Sequence, residues 1–211
     1  MRKYFFFLLL FIVPLMGKSQ QSILKSFFQL SCAEKKWTMG HLFIAKKAWT
    51  ITQRCLNVTD SLRKLGVPDR DPSGGKLDAF RHTFWMATLS ENIGVRKSLS
   101  LGRAHERGDY RNFKRQRFEE GDIPDKAAGD MDLFNNVIGA GIGYVLKGAN
   151  EKVIVDSILK AISKGSMRII LKDKLGRSCD ADYKPIPVER MHGKWVTPRV
   201  LVPSDNLLMI K

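Results

Sequence analysis

The sequence is short of cysteine and of acidic residues, and each shortage narrows what the chain can be. Its three cysteines, Cys32, Cys55 and Cys179, form no Cys-x-x-Cys pair and no knuckle spacing. That excludes a thioredoxin-like redox motif and a cysteine-based zinc module. In an oxidising compartment they allow one disulfide and one leftover thiol, and spacing does not choose the pair. His-Glu-x-x-His is absent, and no serine or cysteine sits in a nucleophile elbow, which favours water as the nucleophile of any hydrolysis. Past residue 20 no apolar run approaches the ~20 residues a membrane span needs. Asp and Glu number 21 against 36 Lys and Arg, a net charge of +15. Such a surface favours anionic partners: phospholipid headgroups, acidic envelope polymers or nucleic acid. The basic residues are scattered and form no stripe, which makes nucleic acid the weakest of these and leaves a basic solvated surface as the plain alternative.

The start, MRKYFFFLLLFIVPLMGKSQQ, has the form of an export signal. Arg2 and Lys3 supply the positive end, Tyr4 to Met16 the apolar stretch, and Gly17 and Ser19 the small residues before a cut at Gln20. No cysteine stands at that cut, so a lipid anchor is not expected. Removing residues 1–19 with Arg2, Lys3 and Lys18 leaves 33 basic against 21 acidic residues, a net +12. The expectation is an exported protein, periplasmic or extracellular. Residues 20–211 form one helical domain with a motif core at about 75–173 and a β/loop tail at about 166–211.

The fold class expected is mainly α, a helical bundle with a small C-terminal β appendage. Apolar periodicity places helices from about Ser22 to Leu65, with a break near Cys32 to Gly40. Gly66 and Pro68 then stop the chain in the turn-rich loop VPDRDPSGG. Further helices follow at Lys76–Asn92, Val95–Arg107, from Pro124 in a first turn to Lys147, and Glu151–Lys164, with Gly94, Gly108, Gly148 and Gly165 as their stops. SMRIILKDKLG reads as a strand, and the proline-rich remainder as short strands and loops. GDYRNFKRQRFEEGD, flanked by Gly108 and Gly121, reads as an exposed connection. Its mixed basic and aromatic residues suit either a hinged lid or contact with a single strand of nucleic acid.

Polar residues recur where packing alone would place only apolar ones. Asp78, Arg81, His82 and Trp85 fall within an arc of about 100° on one helix. Asp132, Asn135, Asn136 and Gly139 repeat that spacing on another, opposite a face of Met131, Phe134, Val137, Ile138 and Ile142 that reads as core. Two asparagines in mid-helix are poor helix formers, and the glycines leave room for a close neighbour or a ligand. His105 and Glu106 close the helix between, where the dipole of a helix end would favour a charged His105. Converging faces would assemble imidazoles, carboxylates, amides and a guanidinium, an inventory for acid–base work or for a divalent metal held by His82, His105 and Asp132.

The residues then assign as follows: His82, His105, Glu106 and Asp132 to catalysis, and Asp78, Arg81, Trp85, Asn135 and Asn136 to substrate binding. Each has a packing explanation beside the functional one. His82 would bond Asp132 or an asparagine in the core, Asp78 and Arg81 would pair on a helix surface, and the asparagines would cap neighbouring loops. Asp130, His41 and His192 read as structural or solvated.

DAFRHTFW, LGRAHERGDY and MDLFNNVIGAGIG, in that order, resemble a bacterial exported-protein domain family of unknown function. Its pattern is AFRHxxW, then AHE, then MDxxNNxxG. The resemblance covers about Gly75 to Asp173, and SCAEKKW is similar to the N-terminal part of exported members. It implies a shared fold and a shared site at Asp78, Arg81, His82, Trp85, His105, Glu106, Asp132, Asn135, Asn136 and Gly139, and it names no reaction. The residues themselves suggest hydrolysis of an anionic envelope substrate, metal-assisted or acid–base. The rival is a non-catalytic binding or structural envelope protein whose polar residues form a buried hydrogen-bond network.

Overall fold

A computed structural model describes residues 26–115 and 124–206. The expected leader and the expected hinge at Gly121 lie outside the described residues. Six helices run in order: α1 Cys32–Gly40, α2 Leu42–Leu65, α3 Lys76–Ile93, α4 Val95–Lys114, α5 Lys126–Val145 and α6 Glu151–Ser163. Two short strands follow, β1 Arg168–Ile170 and β2 Leu201–Pro203, paired antiparallel with Ile169 opposite Val202. The fold is mainly α with a small C-terminal sheet, as expected. Among the described residues no helix is long and apolar enough to cross a membrane.

The centre is α3, which packs against α2, α4, α5, α6 and β1. Leu77, Phe80, Phe84, Met86 and Leu89 are all but fully buried on different sides of it. A helix apolar on every side belongs in a core, and each such side chain adds about 1.5–3 kcal/mol of burial. Ile158 and Ile162 of α6 and Ile51 of α2 extend this core.

On α5 the expected core face holds only in part: Met131 is buried and Ile138 and Ile142 pack against the core, but Phe134 and Val137 turn outward. Val137 is 58 % exposed and Phe134 37 %, whereas Asn135, Asn136, Gly139, Ala140 and Gly143 are buried with Met131. The reason is backbone proximity. A Cβ on Gly139 would lie 2.2 Å from the Thr83 carbonyl oxygen, and one on Gly143 2.0 Å from that of Ala87. The glycines are there to let α3 and α5 touch, which puts the polar stripe inside.

Three boundaries differ from expectation. Cys32–Gly40 is a helix, because Ser31 and Glu34 form a reciprocal cap: Glu34 N–H donates to Ser31 Oγ at 3.2 Å, and Ser31 N–H to Glu34 Oε2 at 2.9 Å. α4 does not stop at Gly108 but continues to Lys114, and Gly108 faces Ser31, whose Oγ would stand 2.5 Å from an added Cβ. His105 and Glu106 are therefore mid-helix, and no helix-end dipole acts on them. Pro124 precedes α5, whose cap is Asp125, accepting from Ala128 N–H at 2.9 Å. Asp125 also holds the C-terminal tail, since Arg199 donates to it through Nε at 2.8 Å and Nη2 at 2.5 Å in a buried pair.

Replacing Gly143 with alanine should lower stability by about 1–3 kcal/mol through forced separation of the two helices. Gly141→Ala, two positions away and facing open space, should instead raise it by about 0.5–1 kcal/mol. Thermal melts of both variants check this; a neutral Gly143→Ala would mean that the helices do not meet there.

Candidate functional site

Asp78 stands in the first turn of α3, where Gly74 N–H donates to its Oδ2 at 2.7 Å. The preceding loop is fixed by Asp69, which accepts from Lys76 N–H at 2.8 Å and Leu77 N–H at 3.0 Å. One turn on, Arg81 Nη2 reaches Asp78 Oδ1 at 2.5 Å and His82 Nε2 at 3.2 Å. The expected surface pair thus has a buried carboxylate. From α5, Asp132 Oδ1 lies 3.4 Å from His82 Nε2. Ligand atoms of Asp78, His82 and Asp132 all fall within 4.8 Å of one another.

A second cluster, His105, Glu106 and Asp109, belongs to α4. The two histidine rings are 6.3 Å apart, and Trp85 stands edge-on to both. His105 Nδ1 bonds Glu34 Oε1 of α1 at 3.0 Å, and Nε2 lies 3.5 Å from Asp109. Of the three ligands expected for one metal, His82 and Asp132 fall in the first cluster and His105 in the second. Asn136 packs over Gly102 of α4, where a Cβ would meet its Nδ2 at 2.9 Å. Asn135 points elsewhere: its amide donates to the Arg168 carbonyl and accepts from Arg168 N–H, both at 2.9 Å, so it pins β1 to α5.

Burial and mutual repulsion set the charges. Burial, then the cations of Arg81 and His105, drive His82 well below the usual histidine range, so it is neutral. Since Arg81 is a donor only, His82 Nε2 accepts from it and the ring proton sits on Nδ1. Burial opposes charge on His105 too, but Glu34, Asp109 and Glu106 outweigh it and hold the ring up at about 9. Burial, with Asp109 and Asp78 adding to it, pushes Glu106 up to about 8. Asp132 is raised well above the carboxylate range by burial and by Asp78 and Glu106. At neutral pH the centre holds a neutral imidazole, an imidazolium, a guanidinium and a protonated Glu106, with burial favouring the protonated form of Asp132 and, less strongly, of Asp78.

Several of these groups have no partner. His82 Nδ1, Glu106 Oε1, Asp132 Oδ1 and both amide atoms of Asn136 are buried with no hydrogen bond among the described residues. Arg81, His82, Trp85 and His105 form one wall of a pocket of about 430 Å³, completed by Glu34 and Trp37 of α1 and Trp49, Thr52 and Leu56 of α2. The carboxylates of Asp78, Glu106 and Asp132 do not line it. Trp85 is fixed by donating to Thr52 Oγ1 at 2.9 Å. Cys55 also lines the pocket, and burial lifts its thiol to about 12, so it stays protonated. All three cysteines are free.

Glu34, Asp109 and the tryptophans of α1 and α2 were not singled out by sequence. Ser31-x-x-Glu34 signals a helix cap, but only the fold shows that the same carboxylate reaches His105. His41 stacks on Trp37 with ring centroids 4.4 Å apart, Asp130 pairs with Lys126 in the exposed first turn of α5, and His192 is exposed in the tail.

The shifts carry a sign for stability. Glu106 holds a proton in the folded chain alone between 4.5 and about 8, as does His105 between 6.5 and about 9. The folded state then binds more protons than the unfolded one, so stability falls as pH rises through both windows. His82, shifted down, acts in the opposite sense and only below 6.5. The melting temperature should therefore fall from about pH 7 to about pH 9.5. Glu106→Gln should remove the earlier part of the fall and His105→Gln the later part. A flat profile in the parent chain would place both groups at ordinary values.

A family model described as a domain of unknown function (DUF6973) matches residues 35–166. Comparisons with curated proteins and with solved structures gave no match.

Proposed function

The chain belongs to the DUF6973 family, and we propose that its pocket is the active site of an exported, periplasmic or extracellular hydrolase acting on an anionic envelope substrate. One observation carries the reading: two histidines with rings 6.3 Å apart share a pocket wall while their surroundings drive them to opposite protonation states. Groups whose environments push their pKa values apart identify an acid and a base. His82, neutral, takes the proton of the attacking water on Nε2 as Arg81 turns from that nitrogen to the substrate; His105, charged, gives one to the leaving oxygen. Arg81 holds the substrate's negative charge. Asp78 and Asp132 position His82, and Asn136 offers an unused amide beside them. The leader-like start and the net positive charge support export and an anionic substrate.

A purely structural network is the poorer account. Such networks are stable when every buried member has a partner, and here Glu106 Oε1 and Asp132 Oδ1 have none among the described residues. A second chemical reading has its own support: the ligand atoms of Asp78, His82 and Asp132 lie close enough to share a divalent cation, which would relieve the repulsion that raises Asp132. Arg81, already 3.2 Å from His82 Nε2, stands against it as a resident cation.

Turnover of p-nitrophenyl esters and phosphodiesters tests the acid–base reading. His82→Gln and His105→Gln should each reduce kcat by ~10²–10⁴ when assayed well below each variant's own melting temperature, which His105→Gln lowers through loss of the Glu34 bond. The parent should show a basic limb near pH 9, set by His105, that the His105→Gln variant lacks. Unchanged turnover in His82→Gln would remove the mechanism.

Metal analysis of chain purified without chelator decides between the two chemistries. The acid–base reading expects none at stoichiometric level. One divalent ion per chain, lost in Asp132→Asn, would replace it with metal-assisted hydrolysis.

A further inference from the structure

The pocket wall opposite the histidines is apolar and leads to an apolar surface. On α2, Leu42, Ala45, Trp49, Thr52 and Leu56 recur at three- and four-residue spacing, one face of a helix. The last four line the pocket, and Leu42 continues the stripe beyond it, 69 % exposed. Phe43 beside it is fully exposed, and so in large part are Met39, next to the pocket residue Thr38, and Phe28, next to Gln29. Large exposed apolar side chains adjoining the lining residues of a pocket mark a contact surface.

The exposed charge on the helices beside that lining is mainly basic. From residue 26 to residue 53 the chain carries Lys35, Lys36, Lys46 and Lys47 against one acid, Glu34; the next basic residue, Arg54, is paired with Glu151 at 2.6 Å. Glu34 is turned inward to Ser31 and His105. Lys36, Lys46 and Lys47 are exposed. Exposed Phe, Leu and Met set among lysines form the pattern of a surface that lies on an anionic bilayer, apolar groups in the acyl region and lysines at the headgroups.

We propose that the hydrolase substrate is a phospholipid with an anionic headgroup, taken directly from a bilayer on which Phe28, Met39, Leu42 and Phe43 rest. This rests on the hydrolase reading for its chemistry and on the patch for its source. The phosphate lies at Arg81 and His105, and an acyl chain runs along Trp37, Trp49 and Leu56. Trp49 Nε1, buried without a hydrogen-bond partner on this wall, is a spare donor for an ester oxygen. At about 430 Å³ the pocket is in the range of small-ligand sites. Water adds to the ester, the ester C–O or P–O bond breaks, and the proton passes from water through His82 while His105 protonates the departing oxygen.

The chain from Gln20, as the expected cut leaves it, and its Leu42→Ser/Phe43→Ser double variant, matched for melting temperature, are floated with phosphatidylcholine vesicles with and without phosphatidylglycerol. Neither carries the apolar segment at residues 4–16, so the difference between them reads the patch. The parent should float with the phosphatidylglycerol vesicles at least about tenfold more than the variant, while turnover of dissolved esters stays equal in both. Separately, dihexanoyl-phosphatidylglycerol below its micelle threshold should shift tryptophan emission saturably, and glycerol 3-phosphate should not; Trp49→Phe should lose most of the shift. Equal flotation of parent and variant, or equal binding of glycerol 3-phosphate, overturns the lipid proposal. If dissolved esters are still turned over in that case, the hydrolase reading survives alone. Saturable lipid binding with no turnover of the lipid or of dissolved esters overturns the hydrolase and with it the substrate role.

Discussion

The contact between the backbones of α3 and α5 positions everything else. Gly139 and Gly143 are one turn apart on α5 and face Thr83 and Ala87, one turn apart on α3. No side chain separates the helices along that line. Ser90 Oγ donates to the Ala140 carbonyl at 2.9 Å at one end of it, and Asp78, His82, Asp132 and Asn136 gather at the other. At ordinary interhelical distances Asp132 would be too far from His82 to share its surroundings. Gly102 on α4 makes the same concession to Asn136, so three glycines on two helices hold three helices close enough for one polar centre.

That closeness has an electrostatic consequence. Asp78, Glu106 and Asp132 are buried near one another, and a low-dielectric interior cannot carry three neighbouring anions. Arg81 neutralises one of them through its pairing with Asp78. The other two stay protonated. His82 gains no counter-ion from them and, facing Arg81 and His105, remains neutral. His105 is half-buried on the far side of the pocket wall, where Glu34 and Asp109 reach it, and it keeps its proton. The contrast between the histidines follows from which side of α4 and α3 the ionised carboxylates stand on.

Much of the fold was legible because its stops are chemical. Gly66 and Pro68, Gly94 and Gly165 end helices where the backbone turns left-handed or loses a donor, and the local sequence shows it. The same logic failed at Gly108, since a glycine that ends a helix and one that admits a neighbour look alike in sequence. On α5 hydropathy groups Val137 and Phe134 with Met131, Ile138 and Ile142 as core, but backbone contact at Gly139 and Gly143, invisible to hydropathy, turns the first two outward. His82, Asp132 and Asn136, drawn from two of the motif segments, lie together because each stands on a rigid helix. Asn135 fell to another task through a pairing with β1, 33 residues away. Glu34 was unreadable as a site residue because its partner is 71 positions distant.

Glu34 also ties the outer surface to the inner chemistry. α1 is seated on α4 by Ser31 over Gly108, by Trp37 Nε1 donating to Ser100 Oγ at 2.7 Å, and by the Glu34–His105 bond. Phe28 and Met39 flank this same helix and stand exposed. Moving α1 off α4 would take away the carboxylate that contributes most to keeping His105 charged, and it would uncover the pocket wall formed by Trp37. The helix that carries part of the apolar surface therefore also sets the protonation of the proposed acid. A displacement of α1 would thus reach the His105 ring through the Glu34 hydrogen bond of 3.0 Å.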